Sequence, residues 1–401
     1  MALVPVAEAL EHMLAGVEAG ATETVAIADA AGRVLAAPLS ALRTQPPFSA
    51  SAMDGYAVRA ADVATVPSRL RITGTAAAGR LFSGSVGAGE AVRIFTGAPV
   101  PAGADTIAIQ ENVRASGEDT VEVLESVARG RHIRPVGMDF SEGAPLLAQG
   151  RLLDPAALSL AASANHAAVP VVRRPLVALI ATGDELLPPG STTGPDQIIA
   201  SNSFGVGAIA RQAGADVLDL GIVPDRLNLI EAAVARAIAA GADVVVTLGG
   251  ASVGDHDLVH RVLVGLGMEL GFWKIAMRPG KPLMYGLLGS TRCLGLPGNP
   301  VASLVCSHLF LKPLLSRLGG RPVLDDTVAA TLAVDMPAND LRQDYVRASM
   351  ERSATAIAVT PFAAQDSSML KVLADADCLL IRAPFAPPAR AGDPCRIIPL
   401  R

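Results

Sequence analysis

Apolar side chains recur at helical spacing over residues 5–20, and an alternating stretch then leads to Gly32 and Pro38. From Pro46 to about Gly150 the pattern changes. Short β-like runs at 70–73, 91–95 and 106–110 are separated by Gly, Pro and Ala-Gly-Ala punctuation. Short runs bounded by turn formers predict a small, mostly β unit. Helical spacing returns over 152–164, and residues 170–175 read as a stiff linker between Pro170 and Pro175.

From residue 176 to about 320 strands and helices alternate. The unbroken apolar run 177–181 is what a strand covered on both faces requires. A helix is expected at 203–212, a strand at 216–220, an amphipathic helix at 227–240 and a second buried strand at 242–248. Asp225 stands just before the long helix, in N-cap chemistry. Alternation at this spacing means an α/β sheet with right-handed crossovers. Beyond Arg321 helical signals fade, and 328–334, 345–349 and 378–382 suggest a compact β unit. No internal repeat is apparent.

With 401 residues the chain divides into two to four domains. Hydrophobic residues make up 51% and aromatics only 3%, so the cores are built from Ala, Val, Leu and Ile. A net charge of −5 excludes a generic binder of nucleic acid or of an acidic membrane, both of which need broad positive potential. The apolar runs are cut by Arg, Asp or Gly before reaching the ~20 residues of a membrane span. Glu8 and Glu11 sit where the apolar stretch of a signal peptide belongs. Cys293, Cys306, Cys378 and Cys395 show no paired spacing, which fits isolated thiols in a cytoplasmic protein.

Three loops carry chemistry. In the segment from Thr247 to Asp257 a buried strand runs into Gly249, Gly250, Ser252 and Gly254, and a helix is expected to begin near Asp257. Glycines let backbone amides turn inward and a helix start adds positive potential, so a phosphate or other oxyanion fits there. Asp184 and Glu185 follow the first buried strand. Pro297 and Gly298 end another, with Asn299 as N-cap and Pro300 at the first helical position. Carboxylates beside an anion nest suit a magnesium-bound, multiply anionic ligand. Lys274, Arg278 and Lys281 lie in a Pro/Gly-bent stretch and supply cations. His256 and His260, four apart, are read as part of a capped helix; no third His or Cys nearby completes a zinc site.

Read together, the motifs resemble one family, the molybdopterin molybdenumtransferases, comprising the MoeA proteins and the gephyrin E domain. The matching segments are Pro46-Pro-Phe-Ser-Ala-Ser-Ala-Met-Asp-Gly-Tyr-Ala57, Ile94-Phe-Thr-Gly-Ala-Pro99, Ala181-Thr-Gly-Asp-Glu-Leu186, the loop from Gly249 to Asp257, Arg278-Pro-Gly-Lys-Pro282 and Leu296-Pro-Gly-Asn-Pro300. Gln343-Asp-Tyr-Val-Arg347 and Gln365-Asp-Ser-Ser-Met-Leu370 extend the likeness, which runs nearly end to end in order.

The resemblance implies an α/β and β multidomain fold. Residues 1–45 and 140–173 would form a discontinuous, elongated linking domain and 46–139 an inserted β-rich domain. Residues 174–321 would form the α/β molybdopterin-binding domain and 322–401 a small C-terminal β-barrel. It implies a homodimer whose active site joins the third and fourth domains of one subunit to the second of its partner. The implied reaction takes adenylylated molybdopterin, molybdate and a divalent cation, Mg2+, and releases AMP and molybdenum cofactor.

Carried over by position, Asp54, Glu185, Asp225, Asp257, Lys274, Arg278 and Lys281 become catalytic candidates, with Glu185 and Asp257 on the metal. Thr96, Gly249, Gly250, Ser252, Gly254, Pro297, Gly298, Asn299, Arg347 and Ser368 become binding candidates. Alone, Asp54 and Thr96 read as turn residues and Asp225 as a helix cap. Implied partners are the molybdopterin adenylyltransferase and cofactor-receiving enzymes, with no nucleic acid and no membrane. A non-catalytic pterin-binding scaffold and an adenylyltransferase are the alternative functions. Arg278 departs from a frequent Lys, Ser49-Ala50 from Asp-Asn, and Ala302-Ser303 reverses the common Ser-Ala.

Overall fold

Helix Val6–Leu14 (α1) follows Pro5 and turns Ala9 and Met13, four residues apart, into the core. In this computed structural model the described residues are 3–250, 258–354 and 356–400. The chain forms two compact units. One contains Thr24–Ala31 and Ala37–Pro170; the other contains Met1–Glu23, Gly32–Ala36 and Val171–Arg401.

The first unit is built on a six-stranded mixed sheet. Its strands are Gly55–Val58 (β1), Ser68–Ala76 (β2), Glu90–Ile94 (β3), Thr106–Ile109 (β4), Val113–Ala115 (β5) and Thr120–Val123 (β6), in the order β4-β1-β3-β2-β6-β5. Only β2 and β3 run parallel. Small and branched side chains fill both faces, Ala57, Val92 and Ile107 on one and Val58, Leu70 and Val121 on the other. The expected β-rich character of this stretch is therefore present. Helix Pro155–Ser163 (α2) is capped by Asp154, whose carboxylate accepts the Ala157 N–H at 2.9 Å. The expected linker 170–175 begins inside a strand, Ala168–Val172.

The second unit contains the α/β sheet. Its elements are Leu176–Thr182 (β7), Asn202–Gln212 (α3), Asp216–Val223 (β8), Leu227–Ala239 (α4), Val244–Leu248 (β9), Leu258–Gly265 (α5) and Glu269–Trp273 (β10). A short strand, Met277–Arg278 (β11), precedes Met284–Leu288 (β12) and Thr291–Leu296 (β13). The order is β8-β7-β9-β13-β12-β10. β8, β7, β9 and β13 are parallel, while β12 and β10 add an antiparallel edge. All five β9 residues are buried, because helices cover both faces of a parallel sheet.

A helical run then crosses the core as Pro300–Cys306 (α6), a π-turn at Ser307–Leu311 and Lys312–Leu318 (α7). Pro313 has no N–H to give the preceding turn, and the widened turn accommodates it. By length and composition this run could cross a membrane, which corrects the expectation that no stretch would qualify. Within the fold 61% of it is buried, and Phe310, Leu314 and Leu315 are core residues.

The last elements are Val328–Leu332 (β14), Gln343–Arg352 (β15), Ile357–Pro361 (β16), helix Leu370–Asp375 (α8), Cys378–Arg382 (β17) and Pro394–Pro399 (β18). The order β15-β16-β14-β18-β17 closes through a β15–β17 pairing that aligns Val346 with Leu380. Five strands thus make a closed barrel with no free edge. β11 pairs in parallel with the start of β15, hydrogen-bonding the barrel to the α/β region. All four cysteines are free thiols, and burial pushes those of Cys293 and Cys378 up to about 12.

Candidate active site

Ligands of an open α/β sheet gather at the carboxyl ends of its parallel strands, and the predicted loops leave from these ends. Gly183 follows β7 with φ of 151°. A Cβ there would lie 2.4 Å from a Glu185 carboxylate oxygen, so glycine lets that carboxylate fold back over its own turn. Beyond β9 come Gly249 (φ 97°) and Gly250 (φ 65°). A Cβ at Gly249 would meet the Thr182 carbonyl at 2.7 Å, and one at Gly250 would meet Val259 at 2.4 Å. Two glycines are thus the condition for this loop to lie against the end of β7. Beyond β13, Pro297 and Gly298 turn the chain into α6, and the Asn202 amide holds the turn through the Gly298 carbonyl at 2.7 Å.

These strand ends enclose a cavity of about 610 Å³. Glu185, Asp225, Gly249, Gly250, Pro297, Gly298, Asn299 and Ser368 all line it, with Ile198 and Ile199 as an apolar lip. The described parts of the three predicted loops converge, the glycine loop through Gly249 and Gly250. Asp225, however, is not a helix cap. Arg226 occupies the cap position of α4, and the Asp225 N–H donates to Asp184 Oδ1 at 3.1 Å. Burial raises the Asp225 pKa, and the nearby Asp184 and Glu185 charges push it further. Among the described residues none of these three carboxylates has an ion-pair partner, so the cavity mouth concentrates negative charge.

Asn299 occupies the N-cap position of α6 and Pro300 opens the helix, but the Asn299 side chain makes no capping bond. It donates to Ser367 Oγ at 2.7 Å, while the Val301 N–H donates to the Ser367 carbonyl at 3.1 Å. The Ser368 N–H and hydroxyl both donate to Asp366, which holds that acid below the usual carboxylate range. The barrel's 366–368 turn is thereby fastened onto the helix start. Arg347 works beneath it. The side chain is 2% exposed, and Nη2 donates to the Asp366 carbonyl at 3.2 Å. Arg347 is not among the cavity-lining residues. At the reversed Ala302-Ser303 pair, the Ser303 hydroxyl is buried without a partner among the described residues.

The predicted cations do not line the cavity either. Lys274 has φ of 78°, and its ammonium lies 5.4 Å from the Trp273 ring centroid. Arg278 is ion-paired with Asp344 and, at 3.4 Å, with Asp340, which raises its pKa and balances its charge. Lys281 is exposed, and only the following Pro282 reaches the cavity. In the other unit, Asp54 Oδ1 accepts the Thr96 N–H at 2.8 Å and its hydroxyl at 2.7 Å. Ser252, Gly254, Asp255, His256 and Asp257 lie outside the described residues, and with them one half of the discounted histidine pair.

Other cavity residues escaped sequence reasoning. Thr182 lines the site and its buried hydroxyl has no partner among the described residues, yet it reads as an ordinary strand residue. A second cavity of about 670 Å³, in the first unit, is lined by Arg43, Phe48, Gly97, Arg134 and Asp139 among others. Residues 43–50 and 134–140 are distant in sequence and meet through the pairings Gln45↔Phe140 and Ala50↔Arg134.

Three family descriptions match in chain order. Residues 4–165 match the MoeA N-terminal region (domain I and II), 178–317 a probable molybdopterin binding domain, and 329–400 the MoeA C-terminal region (domain IV). The chain is 35% identical over 390 residues to a molybdopterin molybdenumtransferase of Bacillus subtilis, covering 94% of this chain and 90% of that one. It is 38% identical over 306 residues to a protein of the same name from Nostoc, covering 75% and 70%. Among solved structures, the molybdopterin biosynthesis moeA protein from Pyrococcus horikoshii superposes with a TM-score of 0.81 at 27% identity, covering 99% of each chain.

Proposed function

The chain belongs to the MoeA family, and we propose that it is a transferase of molybdenum cofactor biosynthesis that inserts molybdenum from molybdate into adenylylated molybdopterin, releasing AMP. The observation that carries this reading is the convergence of Glu185, Asp225, the Gly249–Gly250 turn and the Pro297–Asn299 turn on one cavity. A partly apolar ligand whose phosphates arrive with a divalent cation suits such a wall. The glycine turn admits phosphate oxygens to backbone amides, and Ile198 and Ile199 offer a surface for a flat ring.

A divalent cation fits this donor set. Glu185 and Asp225 are hard oxygen ligands; burial first, and then the charges of Asp184 and Glu185, raise the Asp225 pKa, so a cation placed beside them would relieve part of the repulsion. Among the described residues no three acidic, His or Cys side chains are close enough to hold a metal by themselves. Substrate oxygens would complete the shell, together with Asp257, which lies outside the described residues and enters only through the resemblance. Glu185, Asp225 and Asp257 would hold Mg2+, which when bound supplies charge neutralisation to the phosphate link.

The protein's own groups have separate tasks. The carboxylates orient the polar end of the ligand, Asn202 and Asn299 fix the two turns around it, and Arg347 holds Ser368 at the wall. Lys274 and Lys281, which lie outside this cavity wall, would supply positive charge to phosphate and molybdate oxygens that extend beyond it. Asp54 and Thr96 act from the homodimer that this reading includes. The cytoplasm is the proposed location, and a molybdopterin adenylyltransferase and cofactor-receiving enzymes are the proposed partners.

The test is direct. Purified protein with adenylylated molybdopterin, Mg2+ and molybdate should release AMP in proportion to molybdate. A scaffold would bind without release. Adenylylated product formed from ATP and molybdopterin by this chain alone would favour the adenylyltransferase reading.

A further inference from the structure

Consecutive side chains of an extended strand point to opposite faces, so neighbours rarely touch. Trp273, which ends β10, and Lys274 break that rule. Lys274 takes φ of 78°, a left-handed conformation costly for a residue with a Cβ. It is pinned there from both sides. Its N–H donates to the Leu283 carbonyl at 3.0 Å, and its own carbonyl accepts the Val4 N–H at 3.1 Å. The turn brings the ammonium to 5.4 Å from the indole centroid. The His260 ring stacks on the same indole at 4.5 Å and 20°, which gives this histidine a packing role that the sequence did not suggest. The indole N–H is buried without a partner among the described residues. Hydrophobic packing and ring stacking, rather than a hydrogen bond at that nitrogen, therefore locate the ring.

The contrast with Arg278 shows what such an arrangement achieves. Arg278 is held by Asp344 and Asp340, so its charge is already balanced. Among the described residues Lys274 pairs with no carboxylate, and an aromatic face attracts an ammonium without neutralising it. A cation held by a ring is oriented and still available to an anion.

We propose that Trp273 is a positioning residue for Lys274, holding its ammonium ready for the phosphate or molybdate oxygens of the substrate and yielding it when the anion arrives. This inference rests on the proposed function, in which Lys274 faces the substrate. Trp273 is the chain's single tryptophan, so its fluorescence reports the contact without a label.

The probe is inorganic pyrophosphate, titrated into the full-length protein while emission is followed. Pyrophosphate should change the emission of the wild type and leave that of Lys274→Met unchanged. No response in the wild type, or the same response in both, would overturn the proposal. In kinetics, Trp273→Leu should raise KM for the adenylylated substrate about 2–5-fold with kcat nearly kept, and Trp273→Phe should restore most of the loss. An unchanged KM in Trp273→Leu would also overturn it. Wild-type AMP release distinguishes the two failures. Its absence defeats the functional reading, whereas its presence with an unresponsive tryptophan defeats only the positioning role.

Discussion

One oxygen of Asp54 accepts two hydrogen bonds from the same residue, the backbone N–H and the hydroxyl of Thr96. Both bonds favour the ionised acid, as does nearby Arg93, and the Asp54 pKa is held below the usual carboxylate range. Thr96→Val removes the hydroxyl and keeps the N–H. Asp54 should then titrate higher than in the wild type but still below an ordinary aspartate. A depressed folded pKa adds stability above the unfolded value of about 3.9, and that stability is lost as pH falls through the folded value. NMR titration of the Asp54 carboxyl carbon checks this, and coincident midpoints in the two proteins would remove the hydroxyl from the account.

Gly183 and Gly249 both have positive φ, but they guard different atoms. A Cβ at Gly183 meets the mobile end of Glu185, while one at Gly249 meets the fixed Thr182 carbonyl. Gly183→Ala should therefore displace the carboxylate and lower AMP release while costing about 1 kcal/mol of stability. Gly249→Ala must move backbone and should cost about 2 kcal/mol or more. Urea unfolding of the two variants beside the activity assay separates them. Equal stability losses would mean that the identity of the clashing atom does not matter.

The α/β strands were legible because burial on both faces leaves an unbroken apolar run, and the expected strand at 177–181 lies within β7. The C-terminal barrel came from the family resemblance and not from the residue pattern, since its closure depends on pairing β15 with β17 across thirty to thirty-eight residues. The six-residue α8 is too short to show a helical period. At the site, loops rich in Gly, Pro and carboxylates announced themselves. The Asp225 cap was a misreading because an acid ahead of a helix looks the same whether it caps or lines a cavity. The surroundings of the cations could not be read at all, because Asp340 and Asp344 reach Arg278 from over sixty residues away.

Arg278 joins β11 to the barrel through Asp344, whose side chain is only 11% exposed. Arg278→Ala would leave that carboxylate nearly buried and unpaired, at a cost of about 2–3 kcal/mol. Arg278→Lys keeps the charge but loses the fork that also reaches Asp340 and Asn339, and should cost about 1 kcal/mol. Denaturant unfolding gives both numbers. Near-zero losses in both variants would show that the pair contributes nothing to joining barrel and sheet.

His308 lies in the π-turn, and burial first, then the Lys312 charge, lower its pKa to about 4 despite the opposing pull of Asp326. The folded protein therefore keeps this imidazole neutral, while the unfolded chain protonates it near pH 6.5. Below that pH the unfolded state binds a proton that the folded state refuses. Stability from this group is complete above about pH 6.5, falls as pH drops, and levels off near pH 4. The gap of about 2.5 pKa units corresponds to at most about 3 kcal/mol. His308→Leu removes the titration, so the difference in unfolding free energy between wild type and variant should shift against the wild type between pH 7 and pH 4. Subtracting the two curves cancels the carboxylates they share. A difference independent of pH would mean that the imidazole titrates alike in the folded and unfolded chain, with Asp326 offsetting burial and Lys312.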